Sequence, residues 1–133
     1  LGRGLMDVAA LNAIHKRMNK QLAAVGGRVD AIFYCPHAPT DACTCRKPMP
    51  GLLEQIAERF GLDLQGVSFV GDTLNDMKAA EAAGCVPHLV LTGKSEALRG
   101  QPLPSVFPAG TAVHTDLQAF VDALLKKSLE PAL

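Results

Sequence analysis

An α/β fold, its mostly parallel sheet doubly wound by helices, is predicted by three features of this chain. Apolar residues recur at spacings of three and four in several segments, short unbroken apolar runs stand between those segments, and glycines close the helical patterns. Helix and strand patterns that alternate in this way call for right-handed crossovers and a sheet covered on both faces. Ligands of such sheets bind beyond the carboxyl ends of the strands. With 133 residues, 48% of them apolar, the chain suits one domain or part of one and can bury a core.

Leu11, Ile14, Met18, Leu22 and Val25 mark one face of a first helix from about Asp7 to Val25, stopped by Gly26-Gly27. Ala31-Ile32-Phe33-Tyr34 is a short apolar run of strand type. A cysteine-rich loop follows, and Pro50-Gly51 leads into a second amphipathic helix bearing Leu52, Leu53, Ile56, Ala57 and Phe60, closed by Gly61. Val67-Ser68-Phe69-Val70 is the next strand and delivers Gly71-Asp72 at its carboxyl end. A third helix runs from roughly Leu74 to Ala83 and stops at Gly84. His88 to Leu91 is another strand, followed by Thr92-Gly93. The stretch 94–110 holds three prolines and reads as a loop with a turn of helix. Thr111 to His114 is an edge strand, and Thr115 or Asp116 caps a last helix carrying Leu117, Phe120, Val121, Leu124 and Leu125. No repeat, low-complexity tract or internal boundary interrupts this order. The cysteine loop, Asp72 and Thr92-Gly93 each follow a strand, so all three are expected along one sheet edge.

Composition narrows the function classes. Acidic and basic residues balance at 13 each, which leaves no global field for nucleic acid. No apolar run is long enough to span a bilayer and no signal-peptide pattern opens the chain. Three of the four cysteines fall in one tight cluster, which suits a metal site in a reducing cytoplasm better than a disulfide framework.

That cluster is the strongest chemical signal. Cys35, His37, Cys43 and Cys45 place three thiols and an imidazole within eleven residues. Such a set suits tetrahedral zinc, and four protein ligands leave no open position, so the role expected is structural. The spacing is not that of a C2H2 finger. Cys85 stands apart, after Gly84, and reads as a small core residue. Arg46 and Lys47 follow the last thiol directly, so metal binding would fix where both cations point, and Pro48 restricts Lys47 to extended backbone. A fork and a point charge held together suit phosphate.

Gly71-Asp72-Thr73-Leu74-Asn75-Asp76 ends an apolar strand and opens a helix. A carboxylate there is placed to hold Mg²⁺, a hard cation that takes one or two carboxylates together with phosphate. The bland alternative is that Asp72 only caps the helix. Asp76, one turn further on, could hydrogen-bond a magnesium water or orient Lys47. His88 and His114 lack a nearby partner in sequence, so core or surface roles are expected of them.

Taken in order, these residues resemble the haloacid dehalogenase (HAD) superfamily of phosphatases, in its zinc-containing and nearly capless branch. Tyr34-Cys35-Pro36-His37, Cys45-Arg46-Lys47-Pro48, Pro50-Gly51 and Val70-Gly71-Asp72 carry the likeness, and Leu1-Gly2-Arg3-Gly4 is similar to the end of that family's Asn-Gln-Ser-Gly turn. The resemblance implies a Rossmann-like fold and a magnesium-dependent phosphatase acting through an aspartyl-phosphate on a small phosphorylated sugar. A heptose bisphosphate of lipopolysaccharide synthesis fits best, with histidinol phosphate as the runner-up. It makes Lys47 the phosphate-stabilising lysine, Arg46 a substrate-recognition residue, Asp72 a magnesium ligand and Thr73 a substrate contact, and it matches the zinc ligands one to one.

The same resemblance calls for an Asp-x-Asp that supplies nucleophile and general acid, and residues 1–133 contain none. Asp7 starts a helix instead of ending an apolar strand, so it cannot substitute. The expectation is therefore the C-terminal portion of a single phosphatase domain, inactive alone and open to strand exchange or association. Phosphate-monoester hydrolysis needs up to about 10²¹-fold acceleration, beyond what one lysine and a weakly held Mg²⁺ supply. A zinc-ordered binding module is the non-enzyme alternative.

Overall fold

The computed structural model describes residues 7–36, 43, 45 and 47–128. The readings placed on Leu1 to Gly4, His37 and Arg46 lie outside them. In chain order the elements are α1 (Val8–Ala24), α2 (Gly51–Phe60), β1 (Ser68–Gly71), α3 (Leu74–Ala82), β2 (Val86–Val90), a 3-10 turn (Gly93–Leu98), β3 (Ala112–His114) and α4 (Leu117–Ser128). The strands form one parallel sheet in the order β1-β2-β3, with Gly71 beside Leu89 and Val90 beside His114.

Local chemistry sets most of the boundaries. The Asp7 carboxylate accepts the Ala10 N–H at 2.7 Å and starts α1. At its other end the Gly27 N–H returns to the Leu22 carbonyl at 2.8 Å, a closure that needs the left-handed Gly26, at φ +78°. α4 begins where the Asp116 carboxylate accepts the Ala119 N–H at 2.8 Å. Asp116, not Thr115, supplies that contact.

Neighbouring residues of β2 point to opposite faces, which fixes how the sheet is wrapped. Leu89, fully buried, packs on Met77 of α3, together with Leu91 and, from the proline-rich stretch, Leu98, Leu103 and Phe107. His88 turns the other way and meets Phe120 of α4, ring centroids 4.8 Å apart. The sheet is thus covered on both sides, as the alternating periodicities predicted. A second cluster joins α2 to α3 through Leu53, Ala79 and Ala80, with Leu64 and Cys85; burial raises the Cys85 thiol above its ordinary range. Small residues on α3 allow that close approach.

One expected strand is not formed. Ala31 to Tyr34 pairs with no strand among the described residues, although Ala31, Phe33 and Cys35 are half-buried while Ile32 and Tyr34 are exposed. The alternation reports which side chains face inward. A ladder needs a partner's N–H and C=O groups as well, and the run supplies only the first condition. Phe33 instead shares a cavity with Phe69 and Leu52, beside the unpaired edge of β1. α1 forms as expected but buries no residue, and Ile14 on its apolar stripe remains half exposed.

The two strand histidines find each other across the β2–β3 ladder. His88 Nδ1 lies 3.0 Å from His114 Nε2, and the stacked rings sit edge-on to Phe120. Such a contact needs one N–H and one lone pair, so both rings cannot be fully protonated without breaking it. Burial first, then the neighbouring His114 and Lys127, hold the His88 pKa below its ordinary 6.5. A lowered folded-state pKa gives stability that is present above the unfolded value and lost as pH falls through the folded one. Thermal unfolding followed from pH 7.5 to 5 should show Tm declining below about pH 6.5. His88→Leu should flatten that decline; an unchanged slope would mean other groups cause it.

Candidate active site

Three thiols of the predicted metal set come together. Cys35 Sγ lies 2.7 Å from Cys45 Sγ and 3.7 Å from Cys43 Sγ, and the three sulfurs lie within 4.8 Å of one another. No disulfide joins these sulfurs, whose separations exceed the roughly 2.05 Å of an S–S bond. The hydrogen bond with Cys35 first, then burial and the bond with Cys43, push the Cys45 thiol up to about 12. Thiols crowded this closely ionise together only if a cation compensates them. The donor set therefore fits a soft or borderline metal ion.

Two residues beyond Cys45, the Lys47 ammonium meets Asp76 Oδ1 in an ion pair whose carboxylate is buried and whose lysine is half exposed. The other oxygen of Asp76 accepts the backbone N–H groups of Asp72 and Thr73, each at 3.2 Å. In return the Asp76 N–H donates to Thr73 Oγ1 at 3.0 Å, which completes a capping box at the start of α3. Gly71 makes room for this arrangement: a Cβ there would stand 2.5 Å from the Asp76 carboxylate. Thr73, not Asp72, is the N-cap of α3, so Asp72 is released from the capping role. Between the two tasks expected of Asp76, the geometry favours orienting Lys47, since both its oxygens already hold donors.

Asp72 stands just past the end of β1. Its Oδ2 accepts the Lys94 N–H at 3.2 Å, and among the described residues its Oδ1 takes no hydrogen bond. A carboxylate with one committed oxygen and one uncommitted is a donor a hard cation can use. Beside it opens a cavity of about 800 Å³, lined by Cys35, Cys45 and Lys47 on one side and by Thr73, Lys94 and Ser95 on the other. Asp72 itself is not part of the lining; Thr73, Lys94 and Ser95 flank it. The cysteine loop, the end of β1 and the turn after β2 thus meet at one edge, as the strand-end rule required. Lys94 and Ser95 were missed in sequence. The only signal for them was their place directly after Thr92-Gly93 at a strand end.

Comparison with known proteins places this arrangement. A sequence profile described as HAD-hydrolase-like matches residues 44–119. The chain is 51% identical over 128 residues to D-glycero-beta-D-manno-heptose-1,7-bisphosphate 7-phosphatase of Bordetella bronchiseptica, covering 96% of this chain and 70% of that protein. It is 48% identical to the protein of the same name from Pseudomonas aeruginosa, over 95% of this chain and 68% of the relative. The crystal structure of D,D-heptose 1,7-bisphosphate phosphatase from B. bronchiseptica, complexed with magnesium and phosphate, superposes with a TM-score of 0.86 at 51% identity, over 96% of this chain and 69% of that one. The chain thus spans about 70% of the length of the B. bronchiseptica relative.

Proposed function

The chain belongs to the HAD-like hydrolases, and from that premise we propose that it serves to remove the 7-phosphate of D-glycero-D-manno-heptose 1,7-bisphosphate. The observation that supports this most directly is the buried Asp76 carboxylate steering Lys47 to a cavity beside Asp72, in a chain half identical to phosphatases of that name. The histidinol-phosphate alternative is not favoured, since the relatives at 48–51% identity act, by name, on the heptose.

Lys47 has three N–H groups; Asp76 takes one, which leaves two for phosphate oxygens. At about 4 Å and an effective dielectric near 20, one such charge contact amounts to about 4 kcal/mol before desolvation. Arg46 is proposed as a second phosphate contact, and Thr73, on the cavity wall, as a substrate contact. Asp72 would hold magnesium, and Cys35, Cys43 and Cys45 with His37 would hold zinc. When bound, magnesium would neutralise phosphoryl-oxygen charge, whereas zinc would order the loop that carries Lys47 without joining the reaction. None of the described residues is assigned the nucleophile's part.

Regiochemistry tests the proposal. Incubated with Mg²⁺ and heptose 1,7-bisphosphate, the complete enzyme, supplied with the Asp-x-Asp that residues 1–133 do not contain, should release one phosphate per sugar and leave the 1-phosphate, as read by phosphorus NMR. Faster turnover of histidinol phosphate, or loss of the 1-phosphate first, would overturn it.

A further inference from the structure

The roles assigned so far fall to the cysteine loop and the end of β1, while Lys94 and Ser95 have only been placed in the cavity wall. The turn after β2 reaches the same place. In the parallel register Gly71 lies beside Leu89, so the chain leaving β2 passes the residue that follows Gly71. There three consecutive residues close on Asp72. The Lys94 N–H donates to its Oδ2 at 3.2 Å, and the Ser95 hydroxyl donates to its backbone carbonyl at 2.5 Å. Gly93, at φ +53°, lies so close that a Cβ would collide with the Asp72 carboxylate. Ser95 is 4% exposed, so its hydroxyl is a buried polar group committed to this one partner.

The hydroxyl is not needed to build the turn. The Ser95 N–H already closes it on the Thr92 carbonyl at 3.0 Å. The Asp72 carbonyl, for its part, lies past the last paired residue of β1. The Ser95 hydroxyl therefore ties down a backbone group that the ladder does not hold.

We infer that the Thr92-to-Ser95 turn is a clamp that fixes the Asp72 carboxylate for a divalent cation, with Gly93 and Ser95 as positioning residues. The inference rests on reading Asp72 as the magnesium ligand. One oxygen is pinned by the Lys94 N–H and the main chain by Ser95, while Gly93 leaves the carboxylate its space. Oδ1 is then presented in one orientation. Residues that orient a ligand in this way typically contribute about 10–100-fold to metal affinity.

Mn²⁺ titration followed by electron paramagnetic resonance tests this without relying on turnover, since Mn²⁺ prefers oxygen donors and avoids the thiol cluster. Ser95→Ala should bind Mn²⁺ about 10-fold or more weakly than wild type, with thiol-bound metal content and Tm nearly unchanged. Gly93→Ala, which crowds the carboxylate directly, should weaken Mn²⁺ at least as much, and it serves if Ser95→Ala does not fold. Wild-type Mn²⁺ affinity in the folded variants would overturn the clamp, as would a wild-type protein that binds no Mn²⁺. If wild type binds Mn²⁺ and the variants lose it, but the complete enzyme with its Asp-x-Asp does not hydrolyse heptose 1,7-bisphosphate, the clamp stands and the substrate reading fails.

Discussion

In the complete enzyme, Lys47→Ala should lower kcat by about 10²–10³-fold, because it removes a half-exposed cation aimed at the charge that develops on the transferring phosphoryl group. It should lower Tm as well, since the buried Asp76 carboxylate is left without its ion-pair partner. Asp76→Ala should reduce kcat comparably and also cost about 1–3 kcal/mol of stability. It strips the buried partner from Lys47 and leaves the Asp72 and Thr73 N–H groups without their acceptor. Since both substitutions disable one pair, the double variant should be little worse in kcat than the poorer single one. Steady-state kinetics with thermal unfolding on all three proteins checks this. Full turnover by Lys47→Ala would reduce the pair to a structural ion pair and remove the phosphate from this end of the cavity.

Cys45→Ala should have an effect as large by a different route. Elemental analysis of wild type purified without chelator should find about one zinc per chain, and the variant far less, since the two remaining thiols bind zinc much more weakly. Activity of the complete enzyme should fall with metal content, because Lys47 lies two residues beyond Cys45 and zinc would order the loop that positions it. Cys85→Ala should keep its zinc, as Cys85 packs against Leu53 and Ala80 away from the thiol cluster. Acidification should release the metal from wild type: protons compete for thiolates whose ionisation is already unfavourable, as the Cys45 pKa of about 12 shows. Metal-free wild type with full activity would exclude the buttressing role.

Much of this molecule was legible from local pattern. Three-and-four spacing located α1 and α2 to within a residue or two and marked where α4 begins, because one helix face must be apolar whatever it packs against, while Gly84 marked the end of α3. The cysteine spacing predicted the thiol cluster, since a short loop cannot carry its thiols far apart. The apolar strand before Gly71-Asp72 put that carboxylate at the sheet edge. Asp76 was legible only as a choice of two roles, and Lys94 and Ser95 not at all.

Those assignments depend on residues far apart in the chain. Lys47 meets Asp76 across 29 positions, Ser95 meets Asp72 across 23, and His88 meets His114 across 26. Periodicity reports which face of an element turns inward, a property of backbone geometry that each segment carries alone. Which side chain receives a particular hydrogen bond depends on strand order and register, and those exist only once β1, β2 and β3 are paired. Ala31 to Tyr34 shows the same division from the other side. Its alternating burial is written in the sequence, but a ladder requires a second backbone at about 4.8 Å, and only the assembled sheet decides whether one is there.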